Sequence, residues 1–121
     1  MLPKENRLTR PKDFARVRRF GRSSGSQLLV LYALPTHSLD RRIGFSVSKR
    51  VGKATIRNRV KRRLREAVRS QLATVPPGHD LVFIARPPSA EATYKQLEET
   101  VAYLLRKSGT KREPARRAIH A

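Results

Sequence analysis

The apolar residues of this chain come in short blocks with two different periods. Leu28 to Leu34 (LLVLYAL) is an unbroken apolar run closed by Pro35, the pattern of a buried strand. Ile43, Phe45 and Val47 alternate with Gly44, Ser46 and Ser48, which predicts a half-buried strand. Leu81 to Ala85 (LVFIA) reads as a third strand, stopped by Pro87-Pro88. Three other segments repeat at helical spacing. Phe14 and Val17 share one side of Arg10 to Phe20, with Thr9 as the expected N-cap, Pro11 tolerated in the first turn and Gly21 as the stop. From about Thr55 to Leu72, the residues Ile56, Val60, Leu64, Ala67 and Val68 fall on one side at roughly 100° per residue. Tyr94, Leu97, Val101 and Leu104 mark a last helix ending near Gly109, and Thr93 with Gln96 fits a capping box at its start.

The remaining stretches are polar. Residues 1–8 read as a flexible basic lead-in, and Gly21 to Gly25 as a turn or an irregular edge strand. Residues 110–121 are basic and aperiodic, a disordered tail behind a domain at 1–109. Counting the edge strand, the order is α-β-β-β-α-β-α. It predicts a small single-domain α+β sandwich, a sheet of three to four strands packed by about three helices.

Charge sharpens this picture. The 121 residues hold 28 Lys and Arg against 9 Asp and Glu, a net charge of +19. That exceeds what solubility needs and implies a polyanionic partner, nucleic acid ahead of an anionic membrane surface. Ten of the cations lie in residues 49–69 (KRVGKATIRNRVKRRLREAVR) with one acid, Glu66. The apolar side of that helix can dock on a core. Asn58, Arg62, Arg65 and Arg69 lie opposite, with Arg59, Lys61 and Arg63 on the flanks. Arginine offers planar paired donors that match phosphate oxygens, and the helix N-terminus adds positive partial charge near Arg57. A merely solvated face mixes signs, as Lys95, Glu98 and Glu99 do; this one barely does.

Other chemistry is thinly supplied. The absence of cysteine excludes disulfides and thiolate metal sites. No apolar run reaches a membrane span, and Met1 to Glu5 leads into none, so neither membrane nor signal peptide is expected and the cytoplasm suits the chain. The nine acids form no short metal or acid–base constellation, and His37, His79 and His120 are scattered. A nuclease centre made by the protein is therefore unsupported, and no protein metal site is expected. Among the aromatics, Phe45 and Phe83 are explained by packing. Phe14 and Tyr32 either pack or line a groove between the first helix and the sheet, where they would stack on unpaired bases.

The segment Gly52 to Arg65, with Arg57-Asn58-Arg59 followed by Lys61-Arg62, strongly resembles the signature of the bacterial ribonuclease P protein family. Asn6-Arg7-Leu8, Asp13-Phe14, Leu31-Tyr32, Gly44 to Lys49 and Ile84-Ala85-Arg86 match it in order, over roughly residues 5–106. The resemblance implies a protein subunit of a ribonucleoprotein endonuclease with no obligate protein partner. A catalytic RNA then removes the 5′ leader of precursor tRNA with Mg²⁺ that the RNA holds. It implies that Arg57, Asn58, Arg59, Lys61, Arg62 and Arg65 meet the catalytic RNA, and Lys49, Lys53 and Arg69 of the same basic segment are expected to join them. It also implies that Phe14, Arg18, Tyr32, Ser46, Ser48 and Arg86 meet the leader. A left-handed β-α-β crossover around the basic helix is implied too, against the right-handed rule. Arg18 stands where the family often has a second groove aromatic, and Phe20 is the nearest substitute. A ribosomal or general RNA-chaperone protein is the alternative that shares this charge and size.

Overall fold

A computed structural model describes residues 4–109. The expected tail at 110–121 lies outside the described residues. The elements are α1 (Pro11–Phe20), β1 (Arg22–Gly25), β2 (Leu29–Pro35), β3 (Arg41–Ser46), α2 (Ala54–Arg69), β4 (His79–Ala85) and α3 (Tyr94–Lys107). Short 3-10 turns occupy Lys4–Asn6, Leu72–Thr74 and Pro87–Glu91. The chain is thus α+β, with three helices on a four-stranded mixed sheet in the order β1-β2-β4-β3. β1 and β2 run antiparallel to their neighbours, and β3 is parallel to β4.

Strand alternation assigns the two sheet faces. Leu29, Leu31, Ala33, Ile43, Leu81, Phe83 and Ala85 pack with Val60, Leu64 and Val68 of α2 and Leu97, Val101 and Leu104 of α3 in the main core. On the other face Val82 joins Leu8 and Val17 in a smaller cluster, bordered by Phe14, Tyr32, Leu34 and Ile84. Residues of β2 and β4 are apolar on both sides because helices sit over both faces, which is why those strands read as unbroken apolar runs. α3 starts on the capping box expected at Thr93 and Gln96.

The hand of the β3-α2-β4 crossover follows from one residue. Ile43 directs its side chain into the α2 core, and its carbonyl accepts from the Leu8 N–H at 2.9 Å, on the edge away from β4. An L-residue viewed with its side chain forward and its strand rising directs that carbonyl to the right. β4 therefore lies to the left with α2 in front, the left-handed and rare arrangement.

Three local expectations change. Arg10, not Thr9, is the N-cap of α1, with no side-chain bond; Pro11 at the first helical position removes one of the N–H groups needing a cap. α2 ends at Arg69, and Leu72 falls in a separate 3-10 turn. The lead-in is not a loose arm from residue 4 onward. Asn6 Nδ2 donates to the Arg41 carbonyl at 2.6 Å, Arg7 bridges Ile43 in parallel, and Leu8 is buried. That segment shields part of the outer edge of β3.

Candidate nucleic-acid interface

Helix α2 buries Val60, Leu64, Ala67 and Val68 and turns its cations outward. Asn58, Arg59, Arg62 and Arg69 are exposed, as are Lys49 and Lys53 in the approach to the helix. Lys53 is its N-cap and no acid sits in its first turn, so positive charge meets the positive end of the helix dipole there. Arg57 is half-buried, and its Nε is enclosed without a hydrogen-bond partner. Such a buried donor is costly unless something else accepts from it.

Not every arginine on α2 faces outward unengaged. Arg63 donates to the Ala92 carbonyl at 2.7 Å and Arg59 to the Ala90 carbonyl at 2.9 Å, tying α2 to the turn before α3. Arg69 pairs with Glu66 one turn back, and its guanidinium pulls that carboxyl down from 4.5 to about 2. Arg62 has no such tie and stands on the exposed side.

The second surface lies on the opposite sheet face, where α1 crosses the strands. Asp80 ties α1 to that face. Its side chain is 2% exposed and accepts from Arg16 at 2.6 Å and from Arg42 at 3.0 and 2.9 Å. Asp13 completes the cluster, 3.4 Å from Arg16 and 3.9 Å from Arg42. Donating to the Asp80 carboxylate raises the Arg42 pKa above its ordinary value. Two acids that appear scattered in sequence are thus the counterions that fasten α1 to β3 and β4.

Phe14 lies directly over Gly44: a Cβ built on that glycine would meet the Phe14 ring at 2.5 Å and the Leu8 carbonyl at 2.9 Å. Only glycine lets the ring and backbone come so close. One turn on, the Arg18 guanidinium stands 5.9 Å from the Tyr32 ring centroid, within cation–π range. Phe14 and Tyr32 are both half-buried, so they pack at the edge of the small cluster and keep one side open. Beside α1 the next cross-strand row reads Ser46, Ile84, Val30, Gly25. Its first three members are half-buried and Gly25 is exposed, so a strip of the sheet is left open beside α1, the candidate groove floor. Arg86 lies at the end of this strip and donates to the Ser26 carbonyl at 2.8 Å. Ser48 is apart from it, in the turn before α2, where its hydroxyl accepts from the Arg50 N–H. Phe20 does not take the place of a groove aromatic. It is 66% exposed, stacks on Arg19 and lines a separate depression with Arg22, Pro35 and His79.

The two surfaces meet at the edge of β3. An open depression of about 190 Å³ is lined by Phe14, Gly44 and Phe45 together with Lys61 and Arg65 of α2 and Arg7 of the lead-in. No motif or periodicity singles out Arg16 or Arg42 in the sequence. Only the Asp13–Arg16 spacing of three residues on one helix hinted at any of these links. Among the described residues, no group of three or more His, Cys, Asp or Glu could hold a metal, and no helix is long and apolar enough to cross a membrane.

Comparison with known proteins gives one result throughout. The family model described as Ribonuclease P matches residues 2–109. The ribonuclease P protein component of Alkaliphilus metalliredigens is 41% identical over 106 residues, spanning 88% of this chain and 96% of that protein. The same component of Roseiflexus castenholzii is 46% identical over 104 residues, 85% of each. Among solved structures, the RNase P protein of Staphylococcus aureus superposes with a TM-score of 0.82 at 29% identity, covering 90% of this chain and 100% of that one. The Thermotoga maritima RNase P protein gives 0.76 at 28% identity, covering 84% and 96%.

Proposed function

The chain belongs to the ribonuclease P protein family, and from that premise we propose that it binds the ribonuclease P RNA through α2 and the leader of precursor tRNA through the α1 groove. The observation that carries this reading is the depression at the β3 edge. There Lys61 and Arg65 of the cationic helix share one wall system with Phe14 of the groove. Phosphates gripped on α2 and unpaired bases laid along α1 would be neighbours, as a leader leaving a catalytic RNA requires.

Each part has a physical role. Arg57, Arg62 and Arg65, with Lys49, Lys53 and Lys61, neutralise phosphates of the catalytic RNA and lower its repulsion from the substrate, and the Asn58 amide adds a hydrogen bond to the same backbone. Arg59 and Arg69 contribute from partly engaged positions. Phe14 and Tyr32 offer ring faces to leader bases, while Arg18, Ser46 and Arg86 take sugar and phosphate, and Ser48 meets the same strand from outside the strip, in the turn before α2. Mature tRNA lacks the leader and loses those contacts, so substrate is favoured over product. Mg²⁺ supplies the charge stabilisation and activated water of phosphodiester hydrolysis. The described carboxylates do not fit an all-protein Mg²⁺ site, and the ion is assigned to the RNA. The cytoplasm is the proposed location.

Reconstitution tests this directly. Added to ribonuclease P RNA and precursor tRNA, the protein should speed leader removal and lower the Mg²⁺ concentration required. Arg62→Ala should move that requirement back up. Tyr32→Ala should weaken leader-bearing tRNA by about 1–3 kcal/mol, the usual worth of a stacked base, and leave mature tRNA unchanged. Leader removal with the same rate and Mg²⁺ dependence with or without the protein would overturn the assignment.

A further inference from the structure

The groove floor crosses the whole sheet. Its row starts at Ser46 on β3, passes Ile84 and Val30, and ends at Gly25 on β1, the opposite edge strand. The two glycines on this face differ. The space above Gly44 is filled by Phe14, whereas nothing lies within 4 Å of where a Cβ would stand on Gly25. The row beside the floor is therefore covered at Gly44, while the floor itself is open at its Gly25 end.

What stands at that open end comes from a different element. Lys107, in the last turn of α3, reaches round the sheet edge to the Gly25 carbonyl at 3.4 Å. Its ammonium lies 5.6 Å from the centroid of Tyr103, one helical turn earlier. Tyr103 is 46% exposed, one of three large hydrophobic side chains so placed among the described residues. A packed aromatic would be buried on the apolar side of α3 with Leu97, Val101 and Leu104; Tyr103 is not. Arg86 from β4 caps the neighbouring Ser26 carbonyl, so the β1–β2 turn carries a cation on two successive carbonyls.

We infer that Tyr103 and Lys107 form a further single-stranded RNA subsite, continuing the groove over the β1 edge onto α3. The occupant is the part of the leader farthest from the cleavage site, because α2, assigned to the catalytic RNA, lies at the β3 end. A base stacks on Tyr103 and its phosphate meets Lys107. The inference rests on the groove reading above, yet it can fail separately from it.

The test is precursor binding by the reconstituted holoenzyme, with leaders stepped from about 2 to about 16 nucleotides, a range that brackets single-strand site sizes on small sheet folds. Tyr103→Ala should weaken the longest leaders by about tenfold and leave the shortest leader and mature tRNA unchanged. Tyr103→Phe should bind like the parent, because the ring face is kept. Lys107→Gln should lower both the long-leader affinity and its salt dependence. No loss on long leaders with Tyr103→Ala, or an equal loss at every length and on mature tRNA, would overturn the subsite. Tyr32→Ala run in parallel separates the two readings: if it acts on every leader while Tyr103→Ala acts on none, the groove stands and its extension falls.

Discussion

Asp80→Asn should be the most damaging single change on the α1 side of the sheet. The Asp80 carboxylate is nearly sealed, and three short bonds from two guanidiniums end on it. A hydrogen bond to a charged group contributes about 1.5–3 kcal/mol, and breaking a buried ion pair costs about 3–5 kcal/mol. Arg16 and Arg42 are 38% and 33% exposed, so water recovers part of their solvation. The cost then falls to about 2–4 kcal/mol. Asparagine turns an amide donor toward the guanidiniums and keeps a single carbonyl acceptor. The total stability of a chain this size is about 6–18 kcal/mol, so the loss should move a urea midpoint plainly. Because the pair is buried, the loss should persist from low to high salt, unlike that of a surface bridge. Urea unfolding at two ionic strengths checks both statements. A loss under about 0.5 kcal/mol would mean that desolvation cancels the cluster, and that the apolar contacts of Val17 and Phe14 hold α1 by themselves.

Gly44→Ala should destabilise the fold by about 1–3 kcal/mol through overpacking, and it should displace Phe14. Its signature is weaker binding of leader-bearing tRNA with mature tRNA unaffected, read by competition. Glu66 should titrate near pH 2, and Arg69→Ala should return it toward the ordinary carboxylate range, followed by NMR. The folded-state value is depressed, so the contribution of this pair is complete above about pH 4.5 and fades as pH falls toward 2. Sulfate should raise the Tm beyond chloride of equal ionic strength, because a chain of net charge +19 gains from anions that bind the native state as well as from screening. Equal shifts would leave screening alone.

The elements were legible where local pattern decides them. The Thr93 capping box, the apolar stripe of α2 and the three longer strands follow from spacing within a few residues. What was not legible depends on partners far apart in sequence. Asp80 bonds residues 64 and 38 positions away, and nothing local distinguishes it from a solvated acid. One sign was present: Asp80 opens an apolar strand on the same face as Val82 and Ile84, where an unpaired acid would be expensive. Phe14 illustrates the same limit. Helical periodicity put it beside Val17, which favoured packing, but its place over Gly44 depends on β3 presenting a glycine at that register. The order of the lead-in from residue 4 onward has a related cause. Asn6 and Leu8 are ordered by the unpaired edge of β3, a feature no window of residues 1–8 contains.

The placement of the acids also gives the molecule its direction. α1 presents two flanks to the sheet. Asp13 and Arg16 meet Asp80 and Arg42 on one, a row closed on itself by opposite charges. Phe14 and Arg18 lie on the other, over Gly44 and Tyr32 and beside a row of Ser46, Ile84, Val30 and Gly25 that carries no acid. On α2 the single acid, Glu66, is spent on Arg69 near the C-terminal end, away from Arg57 and Lys61. Positive potential is therefore cancelled where the fold needs cohesion and left uncancelled along one continuous path. That path leads from the first turns of α2, through the depression at the β3 edge, into the groove. A polyanion approaching from solvent meets a field that decays over about 10 Å at 0.1 M salt, about the distance across two or three strands. Electrostatics alone can thus draw a polyanion toward this path before any specific contact forms.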